Sequence, residues 1–461
     1  MKMSRPHRQL GLRLQRLRQQ HGLTQAQLAQ ALQLSPSYLN QIERNKRPLT
    51  PAVQQRLRQT LGDTAGLFDS DDPASLIDPL QDTLLALGQP GVSAAELRAL
   101  AGNLPQVAQA LLDLHREHRA LRERAAALEL QVGTDPSIAA PALLPAGDQV
   151  RDYFNRLRNH IPELDDLAER LFTELGLVAG HTAPRLRQLL ADRHGVLVEV
   201  GASPGHDKRV FDPHQRVLHL PDYLRPGQQA FQMAAQLALL EHAALMATLT
   251  ARAGFHDPER IAQARIGLSN YFAGALVMPY GEFLRCAEDS RYDIEWLAHR
   301  FGVGFEAVCH RLSTLQREGA AGLPLFFMRV DRAGNVSKRH SSTDFHFSQV
   351  GGSCPLWIVY EAFNQPGRVL TQVARMPDGR RHFWIARQVS SGPVGHGQPR
   401  KTFAVSLGCD LRHAERLVYA RGIDTRTDTA VPIGPGCRTC EWSDCLQRAF
   451  PALPQLGAVA R

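Results

Sequence analysis

The sequence predicts a multidomain protein, mainly α with α+β. A helical bundle opens the chain, an α+β middle domain follows, and a β-rich C-terminal domain carries a cysteine cluster. Three observations predict that class. The 461 residues exceed what one core organises, and a guide of about 150 residues per domain suggests three domains. Apolar residues recur at helical spacing to about residue 320, interrupted by two strand-like runs, and alternate beyond residue 324. Cys437, Cys440 and Cys445, three of the seven cysteines, fall within nine residues.

Composition narrows the class. Hydrophobic residues at 43% suit ordinary soluble folding. The opening "MKMSRPHRQL" leads into no apolar run, so no signal peptide is expected. The longest apolar stretch, Phe231 to Leu249, contains Gln232, Gln236, Glu241 and His242, which fits a buried helix better than a membrane span. A cytoplasmic protein is expected. Charge is concentrated at one end. Residues 1–62 hold eleven Lys and Arg against the single acid Glu43, leaving −2 for the rest of a chain of net charge +8. A basic head on a near-neutral body points to a polyanion partner for the head.

Within the head, "LTQAQLAQALQLSPSYLNQIERNKRPLT" reads as short helices joined by tight turns. Thr24 with Gln27 forms a capping box, and Leu28, Ala31 and Leu32 form an apolar face. Ser35 caps the next helix, with Pro36 in its first turn, and Thr50-Pro51 repeats that signal. Leu39 and Ile42 point inward, leaving Ser37, Asn40, Gln41 and Arg44 outward. Residues 8–62, above all "SPSYLNQIERNKR", resemble the Cro/C1 (xenobiotic-response-element, XRE) family of helix-turn-helix regulators. That resemblance implies a second motif helix lying in the DNA major groove. Ser37, Asn40 and Gln41 are then assigned to base edges, and Gln25, Arg44 and Arg47 to phosphates, with Ser35 beside them.

The connector carries apolar residues at alternating spacings of three and four: Leu104, Val107, Leu111, Leu114, His118, Leu121, Ala125 and Leu128. This is either a coiled-coil seam joining two copies or a helix packed on its own chain. Pro105 fits only near its start. The proline-containing "QVGTDPSIAAPALLPAGD" reads as a linker. The expected domains are 1–65, 66–148, 149–320 and 321–461.

Residues 149–320 run from the helical "LDDLAERLFTELGL" through strands "GVLVEV" and "QRVLHL" to "FQMAAQLALLEH", "NYFAGALVMP" and the helix pair "IEWLAHRFGVGFEAVCHRL". This order resembles ImmA/IrrE-type metallopeptidase domains, which implies a zincin-like α+β fold. In that family one helix bears His-Glu-x-x-His and a later segment adds an acidic ligand. Here the places of those ligands and the base hold Ala235, Gln236, Leu239 and Ala275. Methyl and isobutyl groups have no lone pair for zinc, and a carboxamide is no base at neutral pH. Glu241 and His242, adjacent on one helix, are expected to diverge by about 100°. A scaffold without its chemistry is expected, and no catalytic residue is assigned. The helix pair is read as structural.

The C-terminal domain shows two hairpins, turning at Ala333-Gly334-Asn335 and at Pro377-Asp378-Gly379. With the preceding domains, "SPSYLNQIERNKRPLT", "AAQLALLE" and "CRTCEWSDCLQRAFP" resemble the short-chain fatty acyl-coenzyme A regulators over nearly the whole chain. The resemblance implies an operator-binding transcription factor that senses a short-chain acyl-CoA and controls acetate, propionate or glyoxylate-cycle genes. Such a ligand needs an apolar slot and basic groups. Phe345, Phe347 and Trp357 are candidates for the slot, and Lys338, Arg339, Arg375 and Arg387 for the phosphates. The alternative for each is plain β-core or plain surface.

Cys437, Cys440 and Cys445, with Cys409 as the nearest fourth thiol, read as a ligand set for structural zinc, with an iron–sulfur cluster as the alternative. Cys286, Cys309 and Cys354 read as isolated thiols. Three function classes compete: a ligand-responsive DNA-binding regulator acting as a homodimer or higher oligomer, a zinc metallopeptidase acting on a regulator, and a cysteine-based redox sensor.

Overall fold

The computed structural model describes residues 11–20, 22–44, 46–47, 53, 56–57, 60, 73–86, 92–132, 146–201, 207–341, 354–393, 395–398, 400–424, 430–437 and 440–449. The chain divides into two compact units, Met1–Arg122 and Glu123–Arg461.

In the first unit, α1 (Gly11–Gln20), α2 (Gln25–Ala31) and α3 (Pro36–Glu43) close around Leu14, Leu28, Leu32, Leu39 and Ile42, all buried. The expected caps form. Thr24 accepts from the Gln27 N–H while the Gln27 side chain returns to Thr24, and Ser35 accepts from the Tyr38 N–H at 3.1 Å. The Thr50-Pro51 signal lies outside the described residues. A second small core joins α4 (Pro73–Ala86), α5 (Ala94–Asn103) and α6 (Pro105–Val132). Pro105 is the first residue of α6, as its missing N–H requires. Ala108 and Leu112 of α6 are buried against α4 and α5, whereas Val107, Leu114 and Leu121 are 49%, 63% and 58% exposed. One face of α6 therefore packs on its own chain and another carries an uncovered apolar stripe.

The second unit begins with α7 (Ala146–Arg156), whose first residues fall in the segment read as linker, then α8 (Pro162–Glu174) and α9 (Thr182–His194). A three-stranded sheet follows, in the order β1 (Leu197–Gly201), β3 (Val217–Pro221), β2 (Val210–Asp212). β1 runs parallel to β3, and the short edge strand β2, which hydrophobic patterning missed, runs antiparallel to it. Helices α10 (Pro226–Glu241), α11 (Ala243–Arg252), α12 (Pro258–Val277), α13 (Tyr280–Asp289), α14 (Ile294–Arg300) and α15 (Phe305–Leu312) complete the frame. The apolar stretch from Phe231 is thus two helices bent by 82°, and no single helix among the described residues is long and apolar enough to cross a membrane. The frame is tied internally by a buried ion pair, Asp165 Oδ1 to an Arg311 guanidinium nitrogen at 2.6 Å. Tyr271 also donates to Asp165 Oδ2, at 2.5 Å.

A six-stranded sheet follows: β4 (Phe326–Val330), β5 (Val336–Ser341), β6 (Leu370–Arg375), β7 (Arg381–Ser391), β8 (Lys401–Asp410) and β9 (Val431–Pro432), in the order β5-β4-β8-β7-β6-β9. Both predicted hairpins form, with Gly334 and Gly379 at φ 87° and 86°, the left-handed region their turns require. Strand alternation gives the sheet two faces. Phe327, Phe383, Ile385, Val405 and Leu407 join the core of the preceding helices. Phe326, Met328, Trp384, Ala386 and Ala404 face α16 (Ile358–Asn364).

Candidate functional site

In the head, α3 carries the residues expected to reach base edges. Ser37, Asn40, Gln41 and Arg44 share the face opposite buried Leu39 and Ile42; Ser37 and Arg44 are exposed and the two amides half-buried. Arg47 is exposed and stands over the Tyr38 ring at 5.2 Å. Ser35 is an N-cap, so its oxygen serves the helix first. Gln25 is half-buried at the start of α2. Its amide donates at 2.8 Å to Glu43, which also takes Arg18 at 2.7 Å. The single acid of the head is thereby neutralised from within, and Gln25 braces α2 against α3.

The positions of the expected metal ligands are packed. Ala235 and Ala275 are fully buried where α10 packs on α12, Gln236 is 4% exposed, and Leu239 is half-buried. At the end of α10 the sequence reading needs correction. The helix stops at Glu241, and His242 leaves helical geometry at φ −122°, which brings its Nε2 to 3.9 Å from Glu241 Oε2. His194 approaches the same carboxylate at 2.7 Å and Arg193 at 3.5 Å. Burial holds His242 below the ordinary histidine range, with Glu241 opposing that shift. One carboxylate held by three cationic or imidazole groups is a structural clasp. Among the described residues, no three His, Cys, Asp or Glu side chains form a ready metal-holding group.

The cysteines gather, with one exchange. Cys354, Cys437, Cys440 and Cys445 line one pocket, along with Trp442 and Arg448. Cys409 does not join them. It sits on β8 opposite Phe383, on the sheet face that packs on the helical frame, while Cys354 belongs to the core of the other face. Burial first, and Asp410 second, push the Cys409 thiol up to about 12. Cys354 accepts backbone N–H groups of Gly434 and Leu356, and Cys440 that of Trp442; burial outweighs these bonds and raises both thiols above their ordinary range. Arg448 ties the loop by donating to the carbonyls of Cys437, Cys440 and Trp442 at 3.0, 2.8 and 2.6 Å. The Trp442 indole donates to the Ile433 carbonyl at 2.9 Å. The four thiols line one pocket, but among the described residues no three of them stand close enough together to form a metal-holding group.

The predicted effector residues separate. Trp357 is 2% exposed and packs on Trp384 at 5.5 Å, so it is core; Phe345 and Phe347 lie outside the described residues. Arg375 stands over Trp442 at 5.2 Å, beside the cysteine pocket. Arg339 pairs in register with Met328, on the sheet face turned to α16. Lys338 and Arg387 are on the opposite face, paired with Glu306 at 3.2 Å and Glu295 at 2.9 Å. The four basic residues therefore do not form one site.

Three family models match in sequence order: a helix-turn-helix domain over residues 9–67, an IrrE N-terminal-like domain over 191–313, and the C-terminal domain of short-chain fatty acyl coenzyme A regulators over 314–459. The HTH-type transcriptional regulator PrpR of Mycobacterium tuberculosis is 47% identical over 450 residues, covering 96% of this chain and 92% of that protein. The chain belongs to the short-chain fatty acyl-coenzyme A regulator family. RamB, another HTH-type transcriptional regulator of M. tuberculosis, is 44% identical over 96% of this chain and 94% of its own length. The propionyl-CoA carboxylase regulator of Cereibacter sphaeroides is 38% identical over 96% of this chain and 94% of its own. A solved structure, a Mycobacterium tuberculosis transcriptional regulator, superposes with TM-score 0.65 at 50% identity, covering 68% of this chain and 96% of that one.

Two features of this regulator escaped sequence reasoning. Cys354 precedes the cysteine triplet by more than eighty residues, so spacing gave no hint of it. Arg329 lies directly across from Lys338 in the β4–β5 pair, a placement the Gly334 turn makes countable but which was not counted.

Proposed function

We propose that this chain is a cytoplasmic transcriptional regulator without enzymatic activity. It binds operator DNA through α3 as a homodimer or higher oligomer, and a short-chain acyl-CoA sets its DNA affinity, controlling acetate, propionate or glyoxylate-cycle genes. One observation carries the reading. A helix-turn-helix head is joined to a peptidase-like frame in which the expected ligand positions hold Ala235, Leu239 and Ala275. The names of the relatives, a propionyl-CoA carboxylase regulator among them, support the effector class. The exposed stripe Val107, Leu114, Leu121 supports pairing of two copies along α6.

The pocket of Cys354, Cys437, Cys440 and Cys445 is assigned to structural zinc, with an iron–sulfur cluster as the competing occupant. The same four thiols favour a second reading, a redox-sensing regulator. It predicts a coloured protein whose DNA binding depends on oxygen.

A gel shift of the full-length protein on its operator, titrated with acetyl-, propionyl- and butyryl-CoA, tests the function. A change in operator affinity with at least one thioester is expected, and no change with any would remove the effector. Asn40→Ala should weaken operator binding by about 1–3 kcal/mol and relax base preference at one position. Unchanged binding would remove α3 from the groove.

A further inference from the structure

Arg47 lies beyond the end of α3, yet two contacts fix its place. The Gln41 carbonyl accepts the Lys46 N–H at 2.7 Å and the Arg47 N–H at 3.2 Å, so the chain turns back on the last turn of the helix. From there the guanidinium stands over the Tyr38 ring, 5.2 Å from its centroid. The ring is itself held. The Tyr38 N–H donates to the Ser35 cap at 3.1 Å, Pro36 sets the first turn, and the half-buried side chain packs against the core of Leu14, Leu28, Leu32, Leu39 and Ile42. Helical geometry puts Tyr38 on the flank of α3, between the outward Ser37, Asn40, Gln41 and Arg44 and the buried Leu39 and Ile42. Arg47 is exposed and, among the described residues, makes no ion pair. Glu43, the head's single acid, is already taken by Arg18 and Gln25.

We propose that Tyr38 is a positioning residue for contact with the DNA backbone: its ring holds the Arg47 guanidinium beside the outward face of α3, where a phosphate flanking the groove receives it. The inference rests on the operator-binding reading above and adds to it a residue that touches neither base nor phosphate. A free Arg side chain samples many rotamers and loses that freedom on meeting a phosphate. A ring beneath the guanidinium removes part of that freedom beforehand, and leaves the planar fork of N–H donors open to phosphate oxygens. Phosphate contacts carry no sequence information, so the platform raises affinity for every duplex by a similar factor. Base preference stays with Ser37, Asn40 and Gln41.

Fluorescence anisotropy of the full-length protein tests this on two labelled duplexes, one of random sequence and one recovered from a random pool by repeated selection on the protein. Tyr38→Leu, which keeps apolar bulk and removes the ring, should weaken both duplexes about two- to fivefold. Tyr38→Phe, which keeps the ring, should bind as the wild type does. Arg47→Gln should reduce the slope of log affinity against log salt by about 0.9 for each bound head. In the Arg47→Gln background, Tyr38→Leu should have no further effect. Equal losses in both backgrounds would mean that Tyr38 only packs, and would overturn the proposal. A Tyr38→Leu loss confined to the selected duplex would make Tyr38 a base reader and overturn it too. Wild-type affinity and salt slope in Arg47→Gln would take Arg47 off the phosphates, ending the proposal while the operator reading stands. A selection that returns no preferred duplex would remove the operator reading itself.

Discussion

The α10–α12 pair and the cysteine pocket treat potential metal ligands in opposite ways. In the helical frame, Ala235 and Ala275 fill the ligand positions and are fully buried, so methyl groups now serve as core packing. In the C-terminal domain, four thiols from two distant segments are drawn to one pocket, and backbone N–H groups already point at two of the sulfurs. The first region matches an IrrE N-terminal-like domain and packs these positions as core. The second gathers donors where no hydrolytic geometry exists. Ancestry of fold and location of chemistry have come apart in this chain, and function must be argued from sites.

The largest expected effect tests whether charge in the frame is structural. Asp165→Ala leaves Arg311 buried without its carboxylate and should cost about 3–5 kcal/mol by denaturant melt. A near-neutral result would mean the frame is looser than its packing implies. Ala235→His puts an imidazole where only a methyl fits and should cost about 1–3 kcal/mol. If this variant instead melts higher with added zinc, the frame still holds a latent metal site and the contrast fails.

Acid should act on the sheet. Burial first, and Arg380 second, lower the pKa of His382 to about 4. Unfolded histidine protonates near 6.5, so the folded state loses stability as pH falls from about 6.5 toward 4, by about 2 kcal/mol from His382 at pH 5. His310, lowered to about 3, acts in the same direction. Melting temperatures at pH 7.5 and pH 5 check the sign, and a flat profile would contradict it. The smallest effect is expected from Trp442→Phe, which keeps a ring beside the cysteines and removes the bond to the Ile433 carbonyl. About 1 kcal/mol should be lost, together with faster release of bound metal to a chelator.

Much of the fold was legible because it is written locally. Thr24 with Gln27, Ser35 with Pro36, and the glycines at 334 and 379 each specify a cap or turn through residues within a few positions. The burial of Ala235 and Ala275 was legible for the same reason, since an apolar helix in a frame of this kind packs its small residues inward. The sites were less so. Nearness in sequence favours Cys409 as the fourth thiol, but strand alternation turns it toward the helical frame, while Cys354, from a segment outside the strands, joins the core of the other sheet face. Trp357 was read as a slot wall because aromatics suit ligands, yet its ring fills the sheet core. Along α6, the apolar periodicity was real but served two faces, one packed within its own unit and one exposed.

Metal content of the purified full-length protein, measured beside Cys354→Ser and Cys409→Ala, tests the contrast most directly. One zinc or one iron–sulfur centre per chain should be present in the wild type, retained in Cys409→Ala and lost in Cys354→Ser. Metal that survives Cys354→Ser would contradict the account, because the donors would then lie outside the pocket in which these four thiols meet.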